Sequence, residues 1–370
     1  MRILKYLFLL LLLSFVALSI FVATQKGDFT IEKSQIINAP KATVFNFVND
    51  YRNWEDFNTM ISEDPEMKIM FPKKTMGPGA SFSWEGKEES GDVLTVFVKE
   101  NDSISQKMNF NGASSSVFWS FKDTIGGTKL TWKTTGKMSF MMKVTTIIDG
   151  GMNEILGEKY EKSLANIDKT LDFELNSYAV KVNGVVKKLG THYVRQTFTS
   201  EISKVQKNAQ IVFPKLLAFC KQNNIELNGK PFIIYHTYNE INKLTKISIC
   251  IPIKYQILTS SGSDILTGKL EPFDALKTTL MGDYSHSKNA LDKAKTHINT
   301  NAIALDVAFS HIENFTISKT EVKNPSKWLT EIYFPLKPKV IPATIVVPPP
   351  VKKEEGIKEP AAIKEEESEF

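Results

Sequence analysis

The residues best suited to chemistry lie in the C-terminal half, and the sharpest arrangement is in the run Leu329-Thr330-Glu331-Ile332-Tyr333-Phe334. Read as a strand, it turns Glu331 and Tyr333 to one face and Ile332 and Phe334 to the other. A carboxylate in so apolar a strand is costly to bury unless something neutralises it. Set among aromatic rings it would suit a lipophilic cation, because each ring face attracts a cation by about 0.5–2 kcal/mol. Tyr235, Tyr238, Tyr284, Trp328 and Tyr333 are the rings available. An exposed position for Glu331 on an edge strand is the plainer alternative. His236, His286 and His311 are further ionisable candidates. His286 follows Tyr284 at the start of a helix, near the rim of such a pocket; surface or satisfied core positions are the ordinary alternative for all three.

The N-terminal half offers less. Residues 27–172 hold no histidine and no evident nucleophile–base pair. Asp56, Glu85 and Asp92 could reach a pocket, but nothing in their spacing requires acid–base work. Trp54, Trp84, Trp119 and Trp132 could line a cavity or fill a sheet core, and binding of an apolar ligand is the better functional inference. The chain has two cysteines, Cys220 and Cys250, both in apolar settings. They read as small buried hydrophobes, with one bridge as the alternative in an oxidising compartment. Without a CxxC pair or a His/Cys cluster, neither a metal nor a cofactor is expected.

These residues must be held by two successive α+β units. In the first, strands are expected over 29–37, 67–71, 80–84, 93–99, 104–110, 117–122 and 129–135, with a helix opened by Pro40. Gly77-Pro78-Gly79 and Gly126-Gly127 mark turns. Ile155, Leu156, Tyr160, Leu164, Ile167 and Leu171 recur at helical spacing and predict a long helix over 150–171. An antiparallel sheet gripping that helix would leave an apolar cavity between them. In residues 173–339 a pattern repeats: strand 192–199, helix 203–222, strands 231–238 and 246–253; then strand 274–280, helix 285–300, strands 308–318 and 330–334. Two such units imply a pseudo-twofold pair sharing one sheet, with a pocket on the seam.

Family resemblances attach to both units. Ile37-Asn38-Ala39-Pro40, Val44-Phe45, Val48-Asn49-Asp50, Asn53-Trp54, Gly77-Pro78-Gly79-Ala80, Ser83-Trp84-Glu85-Gly86 and Leu164-Ala165-Asn166-Ile167 resemble the SRPBCC superfamily of START-like and polyketide-cyclase-like helix-grip proteins. That resemblance implies a fold more than a function, since members range from lipid carriers to cyclases. Gly229-Lys230-Pro231-Phe232 with Tyr235, Gly282-Asp283-Tyr284, and the run from Asn324 through Trp328 and Glu331 to Leu336 resemble the GyrI-like effector-binding family. Phe315 stands where a Tyr is more usual in that family, and the stretch between Tyr238 and Leu270 departs from it. The resemblance implies Glu331 as the carboxylate of a ligand pocket. Its hydrolytic members imply an alternative, with Glu331 as base and Tyr284 as hydrogen-bond donor to an attacking water.

Residues 6–25 carry no charge and suffice to cross a bilayer as a helix. Arg2 and Lys5 before them favour a cytoplasmic N-terminus and export of the chain from Lys26 onward; a signal peptide cleaved near Ala17-Leu18-Ser19 is the alternative. The 46 basic and 41 acidic residues are spread along the chain, which argues against a nucleic-acid partner. The Pro-, Lys- and Glu-rich stretch 340–370 is expected to be disordered. The resulting expectation is an anchor (1–26), a helix-grip domain (27–172), an effector-binding domain (173–339) and a tail. The protein would bind or sense amphipathic or hydrophobic small molecules outside the cytoplasm. Hydrolysis, or lipid handling by the first domain, is the alternative; the sequence leaves the oligomeric state open.

Overall fold

The computed structural model describes residues 2–62, 66–87, 89–148, 150–260 and 262–338; the stretch expected to be disordered lies outside them. The chain opens with helix α1 (Arg2–Thr24). Its span Ile3–Thr24 is long and apolar enough to cross a membrane, and only 6% of its most apolar window is buried. Val22, in its last turn, is the exception and is buried.

The first unit contains β1 (Asp28–Ile37), α2 (Lys41–Asn49), α3 (Trp54–Phe57), α4 (Thr59–Ser62), β2 (Lys68–Met70), β3 (Ser81–Glu85), β4 (Ser90–Lys99), β5 (Ser103–Phe110), β6 (Ala113–Thr124) and β7 (Gly127–Lys137), then α5 (Phe140–Ile148) and α6 (Glu158–Asn176). Its strands form one antiparallel sheet in the order β1-β7-β6-β5-β4-β3-β2. The β6–β7 turn needs glycine: Gly127 has φ +133°, and a Cβ there would stand 2.1 Å from the Ile37 carbonyl oxygen. α6 lays Tyr160, Leu164, Ile167 and Leu171 into the sheet, the spacing of a helix with one apolar face.

The centre of the space between sheet and α6, expected as a cavity, is instead packed with rings. Trp132 stacks on Trp119 at 4.3 Å and on Tyr160 at 3.8 Å, and Trp54 meets both tryptophans edge-on. Trp84 packs against Phe82. Trp54 and Trp84 are therefore buried core rather than the lining of a ligand cavity. Gln106 ties this core together: it accepts from the Trp119 indole and donates to the Tyr51 hydroxyl, which also bonds Thr95.

The second unit comprises β8 (Ala179–Lys188), β9 (Thr191–Glu201), α7 (Val205–Gln222), β10 (Phe232–Asn239), β11 (Leu244–Ile253), β12 (Leu266–Leu270), β13 (Phe273–Met281), α8 (Ser287–Thr300), β14 (His311–Ile317) and β15 (Leu329–Pro335). The sheet runs β12-β9-β11-β10-β14-β15-β13-β8. A pseudo-twofold passes between β10 and β14. The outermost strands are exchanged: β8, which leads the first repeat, pairs with β13 of the second, and β12, which leads the second, pairs with β9 of the first. Separating the repeats would break both edges as well as the seam. The chain is thus an α+β protein with two antiparallel sheets. Cys220 and Cys250 are both buried and free, packed in different cores, so the bridge considered as an alternative is not formed.

The two units are stitched by polar contacts. Glu174, near the end of α6, accepts from the Asn324 side-chain amide at 2.7 Å and the Ser326 N–H at 3.0 Å. Lys323 reaches Asp56 and the Arg52 carbonyl. Glu174 is 6% exposed. We expect Glu174→Ala to cost about 1 kcal/mol, because it leaves two partly buried donors unpaired. The loss should appear as faster hydrogen exchange around residues 323–328, with the β1–β7 pairing unchanged.

Candidate functional site

At the seam, strand pairing decides which side chains meet. Tyr235 pairs with His311 and Ile233 with Glu313. Directly paired residues share a face, and Ile233, Tyr235 and Phe315 belong to the core under α7. His311, Glu313 and Phe315 therefore line up beneath the helices. Ile332, which pairs with Glu313, belongs to the core under α8, so Glu313 stands where the two helix-covered cores adjoin.

Glu313 is 2% exposed. It accepts a hydrogen bond from the Tyr235 hydroxyl at 2.9 Å and has no ion-pair partner among the described residues. Burial pushes its pKa up to about 7, against a smaller opposing effect of the Tyr235 hydrogen bond. Tyr235 stacks on His311 at 4.2 Å, and Tyr238 sets its edge against both. His311 is equally buried; Ser310 bonds its Nδ1, while its Nε2 has no hydrogen-bond partner among the described residues. Burial, helped by Lys295, drives its pKa down to about 3. On the other side of Glu313, Phe315 meets the edge of Tyr284, which stacks on Trp328 at 4.7 Å. Burial and the charges of Asp283, Glu321 and Glu313 hold the Tyr284 phenol well above its ordinary value. Tyr238 and Tyr284 are only partly buried.

Glu331 lies elsewhere. It pairs with Asn314 and therefore faces the opposite side of the sheet from Glu313 and Phe315. There it accepts from Lys277 at 2.5 Å and from the Tyr333 hydroxyl at 2.8 Å. Lys188 sits 4.7 Å over the Tyr333 ring. Burial raises the Glu331 pKa, but Lys277, Tyr333 and Thr316 outweigh it and hold the group below the usual carboxylate range. The expectation of an uncompensated carboxylate at Glu331 is corrected, since its counter-charge is already built in. The proposed Glu331–Tyr284 pair is not assembled, because the sheet separates the two.

Of the other sequence candidates, Tyr235, Tyr238, Tyr284 and Trp328 gather on the Glu313 side and Tyr333 goes with Glu331. The imidazole Nε2 of His286 bonds the Leu175 carbonyl at 2.7 Å and its ring stacks on Tyr178; it packs the α6–β8 junction against α8 rather than rimming the site. His236 bonds Ser248 beside the bulge in β10. Glu313 and His311 as a pair went unread. The signal was present: in His311-Ile312-Glu313-Asn314-Phe315 the histidine, carboxylate and ring recur at period two and so share a face.

No family model and no curated protein matches the chain. Several solved structures are similar to parts of it. Protein CV1439 from Chromobacterium violaceum is 11% identical over 38% of this chain and 94% of its own, with TM-score 0.30. The EcmrR C-terminal domain is 16% identical over 43% of this chain and 98% of its own, TM-score 0.37. EcmrR in a DNA complex is 15% identical over 55% of this chain and 86% of its own, TM-score 0.38. That last structure runs against the expectation of no nucleic-acid partner, since a chain similar to part of this one stands in a complex with DNA. The DNA is EcmrR's.

Proposed function

We propose that the second domain binds an amphipathic cation at the β10–β14 seam, with Glu313 as counter-charge, in a protein held at a membrane by α1. The observation that carries this reading is a buried carboxylate without an ion-pair partner among the described residues, set among Tyr235, Tyr238, Tyr284 and Phe315. Such a group is costly when ionised and alone, and a lipophilic cation would offset that cost while its apolar part meets the rings. Entry requires Tyr238 and Tyr284 to swing aside, so the ligand selects an opened state. Arg2 and Lys5 in the first turns of α1 favour the non-cytoplasmic side for both domains.

Thermal melting of the full chain in detergent tests the reading, with tetraphenylphosphonium as the cationic probe and a neutral amphiphile as control. At 100 times its dissociation constant the cation adds about 2.7 kcal/mol. We expect that shift in the parent and in Glu331→Gln, and its loss in Glu313→Gln. An undiminished shift in Glu313→Gln, or none in the parent, would sink the assignment.

A further inference from the structure

Helix α5 is built inside out. At about 100° per residue, Phe140, Met141, Val144, Ile147 and Ile148 fall within an arc of roughly 120°. That apolar stripe faces away from the protein: Phe140, Met141, Ile147 and Ile148 are 52%, 69%, 44% and 76% exposed, and α5 has no buried residue. Its inner side holds on through Met142, packed against the core, and Thr146, bonded to the Met138 sulfur. Beneath it a cleft of about 200 Å³ remains, bordered by Phe110, Met142, Met152 and Leu156 and edged by Met141, where the stripe meets the inner side. An apolar helix face turned to solvent marks an interaction surface.

The position of α5 identifies the partner. Lys143, on its inner side, donates to the carbonyl oxygens of Gln25 at 2.7 Å and Ala23 at 3.3 Å, covering the C-terminal end of α1 with a positive charge. Val22 is buried, and the Met138 N–H bonds the Gly27 carbonyl at 2.7 Å. The end of the apolar span is thus fixed to the start of α5 with no slack between them. If α1 crosses a bilayer, α5 is held where that span leaves the hydrocarbon. It has no acidic residue to repel a lipid surface. We propose that α5 lies in the membrane interface, its Phe140–Met141–Ile147–Ile148 face among the acyl chains, so that the first domain is seated on the bilayer rather than tethered above it. This rests on the anchor reading of α1. An amphipathic helix in the interface plane buries its apolar face by several ångströms.

The test uses the full chain in phosphatidylcholine–phosphatidylglycerol nanodiscs containing a lipid nitroxide-labelled on its acyl chain. An environment-sensitive fluorophore is placed singly at Ser14→Cys in α1, at Met141→Cys or Ile148→Cys on the outer face of α5, or at Ile241→Cys in an exposed turn of the second domain. The unlabelled-site parent, whose Cys220 and Cys250 are buried, supplies the background. We expect blue-shifted emission and strong quenching at Ser14, Met141 and Ile148, and neither at Ile241. Adding Ile147→Glu, an exposed position that folding tolerates, should bring quenching at Met141 down to the Ile241 level and leave Ser14 quenched. Quenching at Ser14 without quenching at Met141 and Ile148 overturns the interfacial role alone. Loss of quenching at all three removes the anchor reading and this inference with it.

Discussion

Glu313→Gln should stabilise the second domain at neutral pH and, at the same time, make it sensitive to mild acid. The two buried titrating groups of the seam act in opposite directions. Glu313 has its pKa raised in the fold, from 4.5 to about 7. Below about pH 4.5 both folded and unfolded chains hold its proton; as pH rises towards 7 only the folded chain does, and stability falls. At about 1.4 kcal/mol per pH unit the accumulated cost is roughly 3 kcal/mol. His311 has its pKa depressed, from 6.5 to about 3. Its contribution is present above about 6.5 and is lost as pH falls towards 3, by roughly 4–5 kcal/mol. Between about pH 4.5 and 6.5 the slopes cancel, so the parent should be nearly flat there. Glu313→Gln removes one slope and exposes the other: stability then declines from about pH 6.5 downward. His311→Phe does the reverse, and stability rises on acidification from about pH 7 to 4.5. Urea midpoints read by hydrogen exchange in β10 and β14 across that range measure this directly. Identical pH profiles in parent and Glu313→Gln would mean that the carboxyl is not held neutral by burial.

The cancellation was invisible in the sequence, although the architecture was not. The period-two runs and the 3.6-period stripe ending at Leu171 yield the α+β class, the long gripping helix and the strand–helix–strand–strand repeat. Besides the short helices α3 and α4, three elements were not foreseen, each for a physical reason. β8 and β12 are edge strands that close the sheet by crossing to the other repeat, so their pairing depends on tertiary topology. α5 turns its apolar face outward, against the inward rule used to read helices. The surroundings of Glu331 were hidden for a sharper reason. The run around Glu331 is the most specific local motif, and its parity along β15 places Glu331 and Tyr333 on one face, where they hydrogen-bond. Which face of β15 lies under the helices depends on its register with β14, where Asn314 rather than Glu313 opposes Glu331. A one-residue difference in register sends a carboxylate to the opposite side of a sheet, and no local pattern in β15 encodes its partner's register.

Trp132→Ala should be the most damaging single change in the first domain, and it bears on what that domain does. Trp132 is fully buried between Trp119 and Tyr160, with their ring planes at 26° and 9° to its own. Truncation of such a side chain costs about 3–5 kcal/mol, since the neighbours cannot collapse into the void. Trp132→Phe keeps most of the packing and also removes an indole N–H that has no hydrogen-bond partner among the described residues, so its cost should be well under half as large. Four of the five tryptophans lie in this domain, and their fluorescence in a urea series reads the change. The void left by Trp132→Ala would be apolar and should take up a small aromatic guest, as engineered core cavities do, partly restoring stability when the guest is present. The parent, with that space already filled by its own rings, should show no such gain. If instead the parent is stabilised by an apolar guest and Trp132→Ala is not, the aromatic stack is displaceable and the helix-grip interior is a binding site. If the guest helps only the alanine variant, this domain spends its interior on packing, and its contacts with apolar ligands lie outside the core, where the open face of α5 adjoins the end of α1.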